Sequence, residues 1–272
     1  MSIRAAILDL YNGTENLGMA SIKRLVEESG ITEYDVYDVR LKNEVPDLSY
    51  DVYISTGGPG NPLEVEEEWG VPFFNFLDKL WAYNHKYSDQ PKHVLFICHS
   101  FQMACHHFGV GKITKRKSQS FGVFPVHKTD AGKTDVLLGR LQDPFYVADF
   151  RLYQLLQPDY ARLKKMGAEI LALEKIRPHV PLERAIMAVR FSDACLGVQF
   201  HPEAAAAGMI EHFYKKAVHE KVLELKGEEK FSKMIEDLGD PQKLEQTYMT
   251  VIPLFLRNAI EKVQQTSEAF VT

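Results

Sequence analysis

Short continuous apolar runs alternate with runs of apolar residues at helical spacing along most of this 272-residue chain. The first part of the chain predicts strands at 3–9, 34–39 and 51–56, and a helix at 18–29. The apolar run Val94–Ile97 predicts another strand, and residues at helical spacing follow it. Later runs predict strands at 122–127, 169–174, 184–191 and 196–200. This alternation indicates an α/β fold with an open, mostly parallel sheet and helices on both faces.

The chain becomes rich in charged residues from about residue 216, where apolar residues recur only at helical spacing. This region predicts a helical C-terminal extension over 216–272, following a first domain over 1–215. Gly239-Asp240-Pro241 should interrupt the extension, and Pro253 should kink its last helix. The extension either packs on the sheet or on itself, or it offers a surface for a dimer or another partner.

Cys98 stands where the strand Val94–Ile97 ends and a helical pattern begins. Backbone amides and the positive end of the helix dipole favour the thiolate at such a turn, and the thiolate is the reactive form of cysteine. A buried cysteine with no chemical role is the alternative, because free cysteine is among the most buried residue types. A role as nucleophile therefore requires partners elsewhere in the chain.

Two further strand ends supply candidate partners. The run 196–200 leads into His201-Pro202-Glu203, where the histidine can move a proton and the glutamate can orient the imidazole. The strand before residue 57 leads into Gly57-Gly58-Pro59-Gly60, whose amides can approach a bound atom as in an oxyanion hole. An ordinary tight turn is the alternative for this loop. Neither a P-loop nor a GxGxxG pattern is present.

The three elements together, in this order, resemble the class I glutamine amidotransferases, a glutaminase family with a Cys-His-Glu triad. The resemblance is greatest to the branch that includes the glutaminase domain of GMP synthase, and it spans about residues 3 to 215. It also includes the first strand, residues 50–53 before the glycine loop, and Ser120-Phe121-Gly122. The fold it implies is the flavodoxin-like fold of that family.

The resemblance also implies roles for individual residues. Cys98 would attack the side-chain amide of glutamine, His201 would shuttle the proton, and Glu203 would orient His201. The backbone amides of Gly58 and His99 would form the oxyanion hole. The substrate-binding residues implied are Gly57 and Gln102.

Three positions depart from the family's G-x-C-x-G-x-Q pattern and its substrate loop. Phe96 and Ser100 stand where the family has glycine, and Phe96 must either point into the core or narrow the site. The segment Asp149-Phe150-Arg151 lacks the histidine of the family's Ser-His loop. These departures leave room for an amide donor other than free glutamine.

Composition excludes several other classes of protein. The net charge of −5 argues against a general nucleic-acid surface, and the basic residues Lys112, Lys115, Arg116 and Lys117 are expected to be a solvated strand edge. Three cysteines do not make a disulfide framework, and no apolar run is long enough to span a membrane. These features predict a cytoplasmic protein.

A zinc site is not expected, although Cys98, His99, Cys105, His106 and His107 lie close together in the sequence. Cys98 and Cys105 are two helical turns apart, and the chain has no CxxC or HExxH spacing. The resemblance implies no metal and no cofactor.

Three functions are consistent with the sequence. The first is a glutaminase subunit that releases ammonia from glutamine for a separate synthetase, because nothing after residue 215 resembles a nucleotide-binding module. The second is a thiol hydrolase of γ-glutamyl amides or peptides without ammonia transfer. The third is a catalytically idle homologue used for binding or regulation. Association into a homo-oligomer would involve the C-terminal extension.

Overall fold

A computed structural model describes residues 2–14, 16–64 and 68–269. The first half of the chain forms β1 (Arg4–Asp9), α1 (Leu17–Glu28), β2 (Glu33–Asp38), β3 (Val52–Ser55), α2 (Gly70–Lys86), β4 (His93–Ile97), α3 (His99–Phe108), β5 (Lys112–Lys115) and β6 (Gly122–Lys128). The second half forms α4 (Asp130–Thr134), a 3₁₀ turn (Leu138–Arg140), β7 (Phe145–Asp149), β8 (Tyr153–Leu156), α5 (Tyr160–Met166), β9 (Glu169–Glu174), β10 (Ile186–Ser192), β11 (Cys195–Val198), α6 (Ala206–Tyr214), α7 (Lys216–Lys226), α8 (Glu228–Gly239) and α9 (Leu244–Ala269).

The strands form one open sheet in the order β2-β1-β3-β4-β11-β10-β9-β6-β7, with β5 and β8 joined beside β10. The five strands β2, β1, β3, β4 and β11 run parallel, and the strands beyond them pair antiparallel. The predicted open α/β sheet is therefore confirmed. Its parallel half brings the ends of β1, β3, β4 and β11 to one edge, which is where sites form in such folds.

Buried side chains on both faces of the sheet explain why its central strands are continuous apolar runs. All five residues of β4 are buried, because helices cover both faces of the sheet. Helix α1 buries Ile22, Leu25 and Val26 against one face, and the side chain of Asn16 caps its first turn by accepting from the amide of Gly18. Helices α2 and α3 pack on the other face.

The C-terminal extension is helical, as predicted, and it packs against the sheet; residues 270–272 of the predicted extension lie outside the described residues. Phe231, Met234 and Leu238 of α8 share a cluster with Val123 of β6, and Ile252 and Leu256 of α9 join the core beneath α1. Most of the apolar residues that the extension presents at helical spacing are therefore buried within the chain. The predicted break lies between α8 and α9, whereas α9 continues through Pro253.

Candidate active site

Cys98 lies on the turn between β4 and α3, as its position in the sequence predicts. Its backbone has φ 50° and ψ −96°, an unfavourable conformation for a residue with a side chain. The chain is held there from both sides, because the Cys98 amide donates to the carbonyl of Val198 at 2.8 Å and the Gln102 amide donates to the carbonyl of Cys98 at 3.0 Å. The turn aims the thiol toward a cavity, and Cys98 is 6% exposed.

His201 and Glu203 meet Cys98 from the loop after β11. The His201 side chain is hydrogen-bonded to that of Cys98, and its Nδ1 lies 2.8 Å from Oε1 of Glu203. Burial opposes a charge on the imidazole, but Cys98 and Glu203 outweigh it and hold the pKa of His201 well above its usual value. The three predicted residues therefore form one hydrogen-bonded chain.

Glu203 has two neighbours that sequence reasoning missed. The hydroxyl of Tyr11, just beyond β1, donates to Oε1 of Glu203 at 3.3 Å. Burial, with Glu203 and Cys98 close by, raises the pKa of Tyr11 well above its usual value, so the hydroxyl keeps its proton. The first turn of α1 also faces this carboxylate, because a Cβ on Gly18 would lie 3.0 Å from Oε1. Only the position of Tyr11 near a strand end could have indicated it.

The glycine loop after β3 is squeezed between two parts of the site. A Cβ on Gly57 would lie 2.9 Å from Cε1 of His201, and a Cβ on Gly58 would lie 2.4 Å from the carbonyl oxygen of Leu10. Neither position has room for a side chain. Gly58 lines the cavity beside Cys98, while Gly57 packs against His201 without being among the described cavity-lining residues.

Ser100 and His99, which follow Cys98, have different surroundings. The Ser100 hydroxyl donates to the carbonyl of Ser55 at 2.8 Å, so it ties the end of β3 to the first turn of α3. The His99 side chain is 2% exposed, and its Nε2 has no hydrogen-bond partner among the described residues. Burial and the nearby Arg40 lower the pKa of His99 to about 3, so its imidazole is neutral.

Phe96 points into the core and does not narrow the cavity. It is 1% exposed, lies in the cluster under α2 and α3, and meets Phe191 edge to face at 6.2 Å between ring centroids. Gly197 of β11 is its neighbour in register. A Cβ on Gly197 would lie 2.5 Å from the ring of Phe101, so this glycine makes room for the surrounding aromatic rings.

Gln102 lies beneath Cys98 and is not among the described cavity-lining residues. Its amide nitrogen donates to the carbonyl of Tyr153 and to Oε1 of Gln199, both at 3.0 Å. Gln199, two residues before His201, in turn donates to the Cys98 sulfur at 3.7 Å. Sequence reasoning did not identify Gln199, and the substrate-binding role of Gln102 stays a prediction.

A buried ion-pair cluster occupies the region where the family has its Ser-His loop. Arg151, which is 3% exposed, donates to both carboxylate oxygens of Asp149 and to Glu174. Arg116 also pairs with Glu174, at 2.9 Å, and its side chain is 11% exposed. The prediction that Arg116 is part of a solvated strand edge is therefore wrong, because Glu174 draws it inward.

The cavity in front of Cys98 has a volume of about 710 Å³. Cys98, Gly58, His201 and Glu203 are among the residues that line it. Its walls continue between one face of α1 and the start of α6, and they consist mainly of small and apolar residues: Leu17, Ala20, Ser21, Ala205, Gly208 and Met209. Arg24 of α1 also lines it and donates a hydrogen bond to the Tyr248 hydroxyl of α9.

The described part of the chain contains neither a cluster of metal-ligating side chains nor a membrane-spanning helix. Within it, no group of three or more histidine, cysteine or acidic side chains is placed to hold a metal ion. No helix there is long and apolar enough to cross a membrane.

The fold and this site define an α/β protein with a hydrogen-bonded cysteine, histidine and glutamate at the carboxyl edge of its parallel strands. The family described as glutamine amidotransferase class-I matches residues 6–220. The chain belongs to this family, as its motifs indicate, and a glutamine-hydrolysing, amidotransferase-type function follows from that membership.

Solved structures support the same fold. A glutamine amidotransferase from Thermotoga maritima is 18% identical, with a TM-score of 0.66 over 97% of this chain and 98% of that chain. A glutamine amido transferase from Methylobacillus flagellatus is 16% identical, with a TM-score of 0.57 over 98% and 94%. The glutaminase domain of Trypanosoma brucei CTPS, solved with bound acivicin, is 17% identical, with a TM-score of 0.52 over 74% and 86%. No curated protein matches the chain.

Proposed function

We propose that this protein hydrolyses the side-chain amide of glutamine through a thioester on Cys98 and releases ammonia to a separate synthetase. The observation that carries the proposal is the hydrogen-bonded chain from Cys98 through His201 to Glu203, three residues that line one cavity. A thiol with an imidazole base and an orienting carboxylate is the arrangement used for thiol acyl transfer.

In the first half of the reaction, the Cys98 thiolate attacks the amide carbon and the C=O electron pair moves onto oxygen. The amides of Gly58 and His99 stabilise that oxyanion, and each such donor contributes about 3 kcal/mol or more. Protonated His201 gives its proton to the amide nitrogen. The carbon–nitrogen bond then breaks, ammonia leaves, and the γ-glutamyl thioester remains on Cys98.

In the second half, neutral His201 takes a proton from water while the water oxygen attacks the thioester. The carbon–sulfur bond breaks, glutamate leaves, and the Cys98 thiolate and protonated His201 are restored. Throughout the reaction, Nδ1 of His201 keeps its proton and donates it in a hydrogen bond to the carboxylate of Glu203. Nε2 of His201 is therefore the nitrogen that exchanges protons.

The cavity favours a second candidate, hydrolysis of γ-glutamyl amides or peptides. Its volume of about 710 Å³ falls within the range of roughly 300–1,000 Å³ that is typical of sites for drug-sized ligands. Glutamine is much smaller than such ligands. The space between α1 and α6 can therefore hold a leaving amine larger than ammonia.

Ammonia and glutamate release from glutamine tests the first candidate, and release of the amine from a panel of γ-glutamyl amides tests the second. Cys98→Ala should abolish either activity, whereas Cys195→Ala, which removes another buried thiol, should retain it. Turnover of γ-glutamyl amides alone would replace the first candidate by the second. If Cys98 is not alkylated by a glutamine-analogue electrophile and supports no turnover, both enzyme functions are wrong.

A further inference from the structure

A chain of two side-chain amides, Gln199 and Gln102, leads from the sulfur of Cys98 to the backbone carbonyl of Tyr153. Gln199 is fully buried, and its Nε2 is 3.7 Å from the Cys98 sulfur. Its backbone amide donates to the carbonyl of Met187 at 2.8 Å, which fixes the residue just after β11. A buried N–H group therefore points at the sulfur from a rigid part of the fold.

The hydrogen-bond partners fix the orientation of both amides. The carbonyl oxygen of Tyr153 can only accept, so the NH₂ group of Gln102 must face it. The second N–H of that group points to Gln199, which must then present its own carbonyl oxygen. The NH₂ group of Gln199 is consequently left facing Cys98, and turning either amide over would break a hydrogen bond.

The far end of this amide chain is anchored in the buried ion-pair cluster. Arg151 donates to the same carbonyl of Tyr153 at 3.3 Å, and Arg151 is itself held by Asp149 and Glu174. Gln102 is also fixed from its own helix, one turn after Cys98. Both ends of the chain thus have little freedom to rearrange.

We propose that Gln199 is a further catalytic residue, which donates a hydrogen bond to the Cys98 thiolate, and that Gln102 is the positioning residue that orients it. A hydrogen bond to a charged group is stronger than one to its neutral form, so this donor favours thiolate over thiol. The inference rests on the proposed role of Cys98 as nucleophile. It gives Gln102 a different role from the contact with substrate that the family resemblance implies.

Other ionisable groups lie around the turn that carries Cys98. His201 and Glu203 approach it from the loop after β11, Tyr11 from the loop after β1, and the neutral His99 follows it on α3. Substitutions at Gln199 and Gln102 leave all four in place. A change in the ionisation of Cys98 in those variants would therefore be caused by the altered amide chain.

The test is the pH dependence of Cys98 alkylation by iodoacetamide, with the modified residue identified by mass spectrometry. Cys105 and Cys195 are 0% and 1% exposed, so they should react far more slowly than Cys98. Gln199→Met keeps the approximate shape of the side chain and removes the donor. We expect the alkylation midpoint to rise by about one pH unit, a tenfold change in thiolate fraction at fixed pH.

Two further variants and one control complete the experiment. Gln102→Met should raise the midpoint in the same direction, because Gln199 is then free to turn. An ionised glutamate at position 199 cannot donate a hydrogen bond and adds a negative charge, so Gln199→Glu should raise the midpoint by more than Gln199→Met does. Gln199→Glu also replaces Gln199→Met in the test if Gln199→Met does not fold. Cys195→Ala, four residues before Gln199, should leave the midpoint unchanged.

An unchanged midpoint in the folded Gln199 variants would overturn the proposal, whatever the substrate is. A shift in the Gln199 variants without one in Gln102→Met would overturn the positioning role of Gln102. Where glutamine is turned over, Gln102→Met should lower kcat and leave KM within about twofold, whereas loss of a substrate contact would raise KM. Absence of glutamine turnover with a shifted midpoint would refute the proposed substrate and leave the amide chain supported.

Discussion

Replacing Gly58 by alanine should disable the proposed oxyanion hole through a single backbone contact. The added Cβ would lie 2.4 Å from the carbonyl oxygen of Leu10, and that contact has to lengthen to at least 3.0 Å. Leu10 cannot easily retreat, because its own amide donates to the Thr56 hydroxyl at 2.9 Å. On the other side, the carbonyl of Pro59 accepts from Arg40 at 2.6 Å, so the displacement falls on Gly58 itself.

The expected loss in rate follows from the role that we propose for the Gly58 amide in the transition state. Losing one oxyanion donor typically costs about 10²- to 10³-fold in kcat, which is roughly 3–4 kcal/mol. Displacements near 1 Å can cost about 10²-fold on their own. We therefore expect kcat to fall by about 10²-fold or more in Gly58→Ala, with overpacking lowering the free energy of unfolding by about 1–3 kcal/mol.

The assay is steady-state release of glutamate, combined with urea unfolding and with the rate of Cys98 alkylation by iodoacetamide. Alkylation should persist, because the thiol and His201 are unchanged. Gly239→Ala is the matched control, since a Cβ there meets no described atom within 4 Å. If folded Gly58→Ala retains kcat within about threefold of the unaltered protein, the Gly58 amide is not an oxyanion donor and the reasoning is wrong.

Four further substitutions test other parts of the site. Glu203→Gln should lower kcat by about 10²-fold or more. It should also move the basic limb of the pH–rate profile to lower pH, because the pKa of His201 falls when a neighbouring anion is removed. An unchanged profile would contradict this expectation. The pKa of His99 is about 3 in the folded protein and ordinarily 6.5, so the unfolded chain takes up this proton at higher pH than the folded chain does. As the pH falls below 6.5, His99 therefore lowers the free energy of unfolding by about 1.4 kcal/mol per pH unit. His99→Gln should lack this contribution when urea unfolding is measured between about pH 7 and 4. Phe96→Ala should lower the free energy of unfolding by about 3–5 kcal/mol while kcat of the folded protein stays the same, and a changed kcat would place Phe96 in the site. Arg24→Met should raise KM about tenfold at constant kcat for substrates whose carboxylate contacts this end of the cavity, and equal KM values would remove Arg24 from recognition.

Much of the geometry of the candidate active site could be predicted because it depends on where parallel strands end. Cys98, Gly58 and His201 each follow an apolar run, and the ends of β3, β4 and β11 lie side by side in the sheet. The identity of a strand and the place where it stops are local properties of the sequence. Three strand ends that follow one another in the order typical of the family were therefore enough to predict that Gly58, Cys98 and His201 lie close together.

The surroundings of these residues could not be predicted in the same way. All of β4 is buried, so alternation of polar and apolar residues does not tell which face Phe96 takes. The answer depends on Gly197, a neighbour 101 positions away that makes room for the rings around it. Gln199 was missed for a similar reason, since its contact with Cys98 depends on an anchor at Tyr153 in a third segment.

The positions that depart from the family pattern leave the reacting groups of this site unchanged, so they bear on its recognition of substrate and not on its chemistry. Phe96 and Ser100 are absorbed by packing and by a hydrogen bond between strand ends, so they leave the thiol and its histidine in place. The NH₂ group of Gln102 and the guanidinium group of Arg151 donate to partners within the protein. We therefore expect contacts that select the substrate to come mainly from the walls of the cavity between α1 and α6. Comparing glutamine with larger γ-glutamyl amides therefore tests these walls, while alkylation of Cys98 tests the site beneath them.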